Sequence, residues 1–379
     1  MKVVVAIDSF KGSMTSMEAG QAARRGILRA CDAEVVVRPL ADGGEGTTEA
    51  LVEGLGGTFR EVTIQGPMGE PTRARYGILK NGHTAVMEMA EAAGIMLVPR
   101  DRLDPHRANT FGVGEMILDA SKAGCRDFIL GIGGSATTEG GIGMLNALGW
   151  EFLDERGEPL PPVFDSLGKI GTIRRRTVPE VLEACRFQIA CDVNNPLCGP
   201  NGAVRIYGPQ KGVRPEELEA MDAAMARFAE ATAAFTGRDL SSMPGAGAAG
   251  GLGFALMSYL PHVALRPGID IVLEAVGLKD AVKDADVVVT GEGRMDGQTA
   301  MGKVPVGVAR LAKRHGCRVV AFAGSVTEDA VKCNEAGIDA FFPIVRDVIT
   351  LDEAMQTNVA IHNMELAVEQ TFRLLSINP

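Results

Sequence analysis

Read for its alternation of apolar and polar positions, the chain opens on a continuous β-branched run at residues 2–7 (KVVVAI), the pattern of a strand buried on both faces of a parallel sheet. The run ends at Asp8-Ser9-Phe10-Lys11-Gly12. Thr15-Ser16-Met17-Glu18 then has the spacing of a capping box and predicts a helix to about residue 30. A second strand, 34–38, runs into the loop 41–47 (ADGGEGT), and a helical stretch follows to about residue 54. This β-loop-α start, repeated, is the signature of an α/β fold, whose ligands bind in loops at the carboxyl ends of strands.

Between 58 and 90 the pattern changes to short alternating runs separated by Gly-Pro, Met-Gly-Glu-Pro and Asn-Gly turns, with Asn81-Gly82 a hairpin signal. A helix near 110–123, strands at 127–131 and 187–191, and a helix at 215–235 follow. The buried-strand pattern returns at 285–290 and 318–323, with helices 301–314, 327–336 and roughly 351–375 between and after. The expected topology is a doubly wound parallel-sheet domain made from both chain ends, 1–62 plus 281–379, with a mixed α/β domain inserted at 63–280.

Composition narrows the function classes. The chain has 379 residues, 46% of them apolar and 23% charged, which suits a soluble globular protein of two domains. No stretch approaches the roughly 20 apolar residues of a membrane span. A net charge of -10 without a long basic run argues against a nucleic-acid partner. Seven cysteines form no CxxC pair, and the first strand is too short for a signal peptide's apolar region, so the expected compartment is the cytoplasm. Nothing in the sequence fixes an oligomeric state, and a homo-oligomer is compatible with it. The 47 glycines exceed the roughly 27 of ordinary usage. Most of the surplus falls in a few loops.

Those loops carry the candidate chemistry. Residues 131–141 (GIGGSATTEGG) follow a strand and precede a helical stretch, so their N–H groups, with the hydroxyls of Ser135, Thr137 and Thr138, suit phosphate. The loop 245–253 contains a complete G-x-G-x-x-G through Gly245, Gly247 and Gly250, but it follows no buried strand. A nucleotide cradle involving Gly247, Gly250 and Gly251 and close packing of small residues remain equal readings. Residues 297–303 spell G-x-x-x-x-G-K, yet Val304 stands where a P-loop has its Ser/Thr, so no P-loop is assigned; Lys303 can still touch a phosphate. Arg294, between Glu292 and Asp296, suits bidentate carboxylate recognition, while its acidic neighbours suit a metal.

Acidic residues recur at strand ends: Asp8, Asp42 with Glu45, Asp192 in CDVNNP, and Glu292 with Asp296. Phosphoryl transfer from ATP requires phosphate donors, carboxylates for magnesium and a group to position or deprotonate the acceptor hydroxyl, and all three kinds are present. The five histidines show no metal-ligand spacing, and no G-x-S-x-G elbow supports serine chemistry. Two other classes are carried beside the kinase: a nicotinamide-dependent oxidoreductase, on the glycine patterns, and a non-catalytic sugar-acid sensor, which the carboxylates beside phosphate loops disfavour.

The blocks DSFKGS (8–13), ADGGEGT (41–47), GIGGSAT (131–137), CDVNNPL (191–197), GAGAAGGLG (245–253) and TGEGRMDGQT (290–299) resemble, in order and across essentially the whole chain, the bacterial class I glycerate kinases. One departure is Thr138-Glu139-Gly140, where Asn/Thr-Asp-Gly is expected; it leaves the role of the acid at 139 open. The resemblance implies ATP- and magnesium-dependent phosphorylation of D-glycerate, usually at the 2-hydroxyl. It also implies a flavodoxin-like domain from both chain ends, an inserted second domain, and a site between them. It does not fix individual roles. The expected assignment gives phosphates to Lys11, Lys303 and the loop Gly133-Gly134-Ser135-Ala136-Thr137, and magnesium to Asp42, Glu45 and Glu292. Arg294, Ser135 and Asn194 are expected to bind glycerate, and Asp192 to act on its hydroxyl, with Asp296 and Asp8 as alternatives.

Overall fold

A computed structural model describes residues 1–377. Thirteen strands lie in chain order among them: β1 (Lys2–Val5), β2 (Glu34–Val37), β3 (Gly57–Gln65), β4 (Pro71–Leu79), β5 (Thr84–Glu88), β6 (Asp127–Gly131), β7 (Trp150–Leu153), β8 (Thr172–Arg175), β9 (Arg186–Ala190), β10 (Val263–Arg266), β11 (Val287–Met295), β12 (Arg318–Val326) and β13 (Ala340–Pro343). The chain divides into two compact units. The first comprises Met1–Asp42, Glu49–Gly56 and Ile269–Pro379, and the second Gly43–Thr48 and Gly57–Gly268.

The first unit is built on a five-stranded parallel sheet in the order β13-β12-β11-β1-β2. Strand order reverses at β1, with β2 on one side and β11 on the other, which makes the carboxyl ends of β1 and β11 the topological switch point of a flavodoxin-like sheet. The Val-rich strands are buried because helices cover them. Helix Ser16–Ala30 begins at the expected capping box: Thr15 Oγ1 accepts from Glu18 N at 3.1 Å, and Glu18 accepts from Thr15 N at 2.8 Å. This helix packs on Thr357–Leu375 closely enough that a Cβ on Gly26 would lie 2.4 Å from the Glu365 carbonyl oxygen. Ser16 fixes the helix to the sheet, its hydroxyl donating to Ile7 O and accepting from Leu40 N.

β11 continues to Met295, through residues that composition reads as a loop. Pairing with β12 extends through Glu292↔Ala323 to Met295↔Val326, and Gly291 permits it, since a Cβ there would lie 2.1 Å from Phe322 O. The expected C-terminal helix is two, Leu351–Ala354 and Thr357–Leu375.

The second unit carries a six-stranded sheet, β10-β9-β6-β5-β4-β3, parallel from β10 to β5 and antiparallel from β5 to β3. The β4–β5 hairpin turns at Asn81-Gly82, where Gly82 has φ +71° and Asn81 Oδ1 accepts from His83 N and Thr84 N. The pair β7–β8 forms a separate small sheet. Aromatic contacts fill the core, including Phe128 stacked on Phe187 and Phe228 edge-on to Phe254. The seven cysteines are free thiols. Among the described residues, no helix is long and apolar enough to cross a membrane.

Candidate active site

In the first unit, the sheet brings the acidic loop residues together at its switch point. Asp8 N donates to Gly291 O at 3.0 Å, which sets Asp8 beside Glu292, and Leu40 N donates to Ile7 O, which draws the chain toward Asp42 alongside. Asp8 is buried, and its carboxylate accepts from Ser9 N at 2.7 Å. Burial, reinforced by the negative charges of Asp42 and Glu292, pushes its pKa up to about 7. Glu292 is buried too and accepts a hydrogen bond from the Thr299 hydroxyl. Burial raises its pKa, Thr299 and Lys303 oppose the rise, and Asp296 and Asp42 add to it.

The cations of this unit stand at the surface of the cluster. Lys11 is exposed in the turn after β1, next to Gly293, where a Cβ would lie 3.7 Å from Lys11 N. Arg294 is exposed, with Nε 3.7 Å from Asp296 Oδ2. Lys303 caps helix Val304–Lys313, its Nζ 4.0 Å from Asp296 Oδ1. Asp296 also accepts from Gln298 N and Thr299 N, so part of its capacity orders the turn that delivers Thr299 to Glu292.

In the second unit, three loops converge at the carboxyl ends of β6 and β9. A Cβ on Gly131 would lie 2.5 Å from Gly43 O, and one on Gly43 would meet Gly268 and Ala190, so these glycines permit the backbones to touch. Asp192, exposed after β9, accepts from Gly268 N at 2.9 Å. Asn194 and Glu45 are exposed in their own loops. Gly133 and Gly134 are exposed, with open space at a Gly133 Cβ, and the N–H groups of Gly133, Gly134 and Ser135 have no hydrogen-bond acceptor among the described residues. Ser135, Ala136 and Thr137 are buried, and Thr137 Oγ1 has no hydrogen-bond partner. The loop offers unspent donors, as an anion site does.

The second glycine loop lies behind the first. A Cβ on Gly250 (φ +66°) would fall 2.0 Å from Thr137 O, one on Gly251 (φ +97°) 2.8 Å from Gly140 Cα, and one on Gly247 2.3 Å from Pro196 O. Gly140 N donates to Gly250 O at 2.9 Å. All three glycines are buried against the chain's own backbone, which is the close packing of small residues that the sequence allowed.

Two buried charges, Glu88 and Lys211, escape the sequence reading, and a third, Glu139, has no role assigned by it. Glu139, at the departure from the expected motif, accepts from Thr110 N at 3.0 Å and Gly143 N at 3.2 Å, which ties the loop to two helix starts; burial raises its pKa to about 7. Glu88 accepts from Thr48 N at 2.9 Å and Gly46 N at 3.3 Å, holding the 43–48 loop. Lys211 is buried, its Nζ donating to Ser135 Oγ at 2.7 Å and Thr137 O at 2.6 Å. Its one sequence signal is a lone cation between turn-formers in Gly208-Pro209-Gln210-Lys211-Gly212.

Among the described residues, no group of three or more His, Cys, Asp or Glu side chains is arranged to hold a metal ion. The mutual repulsion of Asp8, Asp42 and Glu292 nevertheless fits magnesium, which keeps several waters and takes one or two carboxylates together with phosphate oxygens.

Clustered carboxylates in the first unit and a glycine-rich loop with unspent donors in the second are the kinds of group that phosphoryl transfer uses. The family model described as the glycerate kinase family matches residues 3–376. The chain is similar to the glycerate kinase of Bacillus subtilis 168 (44% identity over 94% of this chain and 93% of that one) and to the glycerate 2-kinase of Escherichia coli K12 (43%, over 94% and 93%). It is also similar to a crystal structure of a candidate glycerate kinase 2 from Salmonella typhimurium LT2, with a TM-score of 0.91 and 40% identity over 99% of this chain and 98% of that one. The chain belongs to the glycerate kinase family and is an ATP-dependent kinase.

Proposed function

We propose that the protein transfers the γ-phosphoryl group of ATP to the 2-hydroxyl of D-glycerate, giving 2-phosphoglycerate and ADP. The observation that carries the chemistry is the cluster of buried Asp8 and Glu292 with half-buried Asp42 at the switch point, flanked by Lys11, Arg294 and Lys303. The choice of the 2-hydroxyl is supported by the Escherichia coli relative named glycerate 2-kinase.

In the first unit, Asp42 and Glu292 would hold magnesium; Glu45, in the second unit, is a separate candidate. The chemistry such an ion would supply is positive charge to offset the charge that develops on the phosphate during transfer. Lys11 and Lys303 in the first unit are assigned to phosphate oxygens, and so, separately, is the loop Gly133–Thr137 of the second unit. Arg294, which leaves most of its guanidinium to solvent, is the first unit's candidate for the glycerate carboxylate; in the second unit, Asn194 and Ser135 are candidate glycerate contacts. Asp192 orients the acceptor hydroxyl, its carboxylate steadied by Gly268 N. Asp8, buried at the end of β1 beside Glu292, is the second candidate for that proton. Asp296 acts as a positioning residue through the Thr299 turn.

Incubation with D-glycerate, ATP and magnesium, followed by phosphorus NMR, tests the assignment. A 2-phosphoglycerate signal is expected; a 3-phosphoglycerate signal would reassign the acceptor hydroxyl, and intact ATP would remove the activity.

A further inference from the structure

A lysine ammonium with no access to solvent is costly unless its donors are used. Lys211 is 2% exposed, and two of its three donors are spent on one loop, on Ser135 Oγ and Thr137 O. The turn that carries it is fixed on both sides. Lys211 N donates to Gly208 O at 2.9 Å, and Gly212, at φ +101°, packs against Leu103 and Pro105. The side chain is thus aimed at the underside of the loop whose outer glycines, Gly133 and Gly134, are exposed.

The direction of the hydrogen bond matters. Lys211 Nζ donates to Ser135 Oγ, and in its protonated form it can only donate, so in that form the hydroxyl's own proton is left to point elsewhere. Ser135 N–H has no acceptor among the described residues either, because Ser135 faces Gly94 as the non-bonded pair of an isolated bridge. Ser135 therefore presents two donors, and the cation behind it strengthens the hydroxyl as a donor.

We propose that Lys211 is a positioning residue of the kinase: by donating to Ser135 Oγ and Thr137 O, it holds the 131–137 loop in shape and turns the Ser135 hydroxyl into a dedicated donor to an anionic oxygen of the substrate. That oxygen belongs to an ATP phosphate or to the glycerate carboxylate. Burial also draws the Lys211 pKa down to about 7, against the opposing charge of Glu139. The inference rests on the reading of 131–137 as a ligand loop.

The test is a double-mutant cycle of Lys211→Met and Ser135→Ala in the full chain, with kcat and KM for ATP and for glycerate, and thermal denaturation of each variant. Each single variant is expected to raise one KM about ten- to a hundred-fold, the usual range for losing a charge-assisted hydrogen bond. The double variant is expected to be no worse than the weaker single. A rise in KM for ATP identifies the phosphate as the partner, and a rise in KM for glycerate identifies the carboxylate. Additive losses, or a Ser135→Ala defect that Lys211→Met does not share, overturn the proposal while leaving the ligand loop intact. A silent Ser135→Ala, with Lys211→Met losing only thermal stability, also overturns the proposal; the ligand loop is then read separately from the KM for ATP of Gly133→Ala, which alters the backbone side that neither substitution touches. Should Lys211→Met not fold, Lys211→Gln, which keeps a neutral donor for Thr137 O, takes its place in the cycle.

Discussion

The Thr299 hydroxyl donates to the buried carboxylate of Glu292, joining the start of one helical turn to the strand end it folds back upon. Thr299 is itself placed by Asp296, whose backbone N–H donates to Thr299 Oγ1 at 3.1 Å. The bond opposes the effect of burial and helps Glu292 ionise. Thr299→Val should therefore weaken magnesium more than chemistry. The magnesium concentration for half-maximal rate is expected to rise about ten-fold, with kcat at saturating magnesium changed by less than about three-fold, as suits the loss of one hydrogen bond to a charged group. A magnesium titration of the rate checks it, and a fall in kcat at saturation would place Glu292 elsewhere in the reaction.

Asp8 gives a pH dependence with a definite sign. Its pKa rises from 3.8 in the unfolded chain to about 7 in the folded one. The folded state thus binds this proton more tightly, so the group's favourable contribution is complete below about pH 4 and is lost as pH rises through about 7. Asp8→Asn keeps an acceptor for Ser9 N and removes the buried charge. In magnesium-free protein it should be more stable than the parent by about 2–4 kcal/mol near pH 8, with the gap closing toward pH 4. Urea unfolding at the two pH values measures this. An equal gap at both would mean that the carboxyl stays ionised throughout.

Much of this arrangement is legible in the sequence because it is local. The capping box at Thr15–Glu18, the Asn81-Gly82 hairpin and the valine runs of β1 and β11 each state their own structure within a few residues. What is not legible depends on partners far away. β11 extends to Met295 because β12 is there to pair with it, and no periodicity within TGEGRM announces that. Lys211 meets Ser135 across 76 residues, and a single lysine in a turn reads as a solvated one. The loop 245–253 matches a nucleotide pattern by composition, yet its glycines are required by the backbone of Thr137, Gly140 and Pro196.

Asp192 and Arg294 are separable by kinetics. Asp192→Asn keeps the shape and the acceptor for Gly268 N but removes the charge, so kcat should fall roughly 100-fold or more if the carboxylate takes the acceptor proton. A loss confined to KM would make Asp192 a binding group and leave Asp8 as the base. Arg294→Lys replaces a planar fork by a point charge, so KM for glycerate should rise about ten-fold while KM for ATP holds. Steady-state kinetics with each substrate varied distinguishes the two, and an unchanged KM for glycerate would shift carboxylate recognition to Lys11 or Lys303.

Gly133 and Gly250 put opposite demands on the two glycine loops. A Cβ at Gly133 meets open space, whereas one at Gly250 falls 2.0 Å from Thr137 O in a backbone with φ +66°. Gly250→Ala must push the two loops apart, and it should cost about 2–4 kcal/mol of stability. Gly133→Ala should leave the denaturation midpoint unchanged, because nothing in the protein is displaced. Its methyl instead stands on the exposed side of the loop, beside N–H groups that have no acceptor in the chain. Binding of the phosphate-bearing substrate should then weaken about ten-fold through lost backbone hydrogen bonds, read as a higher KM for ATP at normal stability. A Gly133→Ala enzyme with unaltered KM values would show that ligand oxygens do not approach that backbone, and the phosphate donors would have to be sought at Lys11 and Lys303 alone.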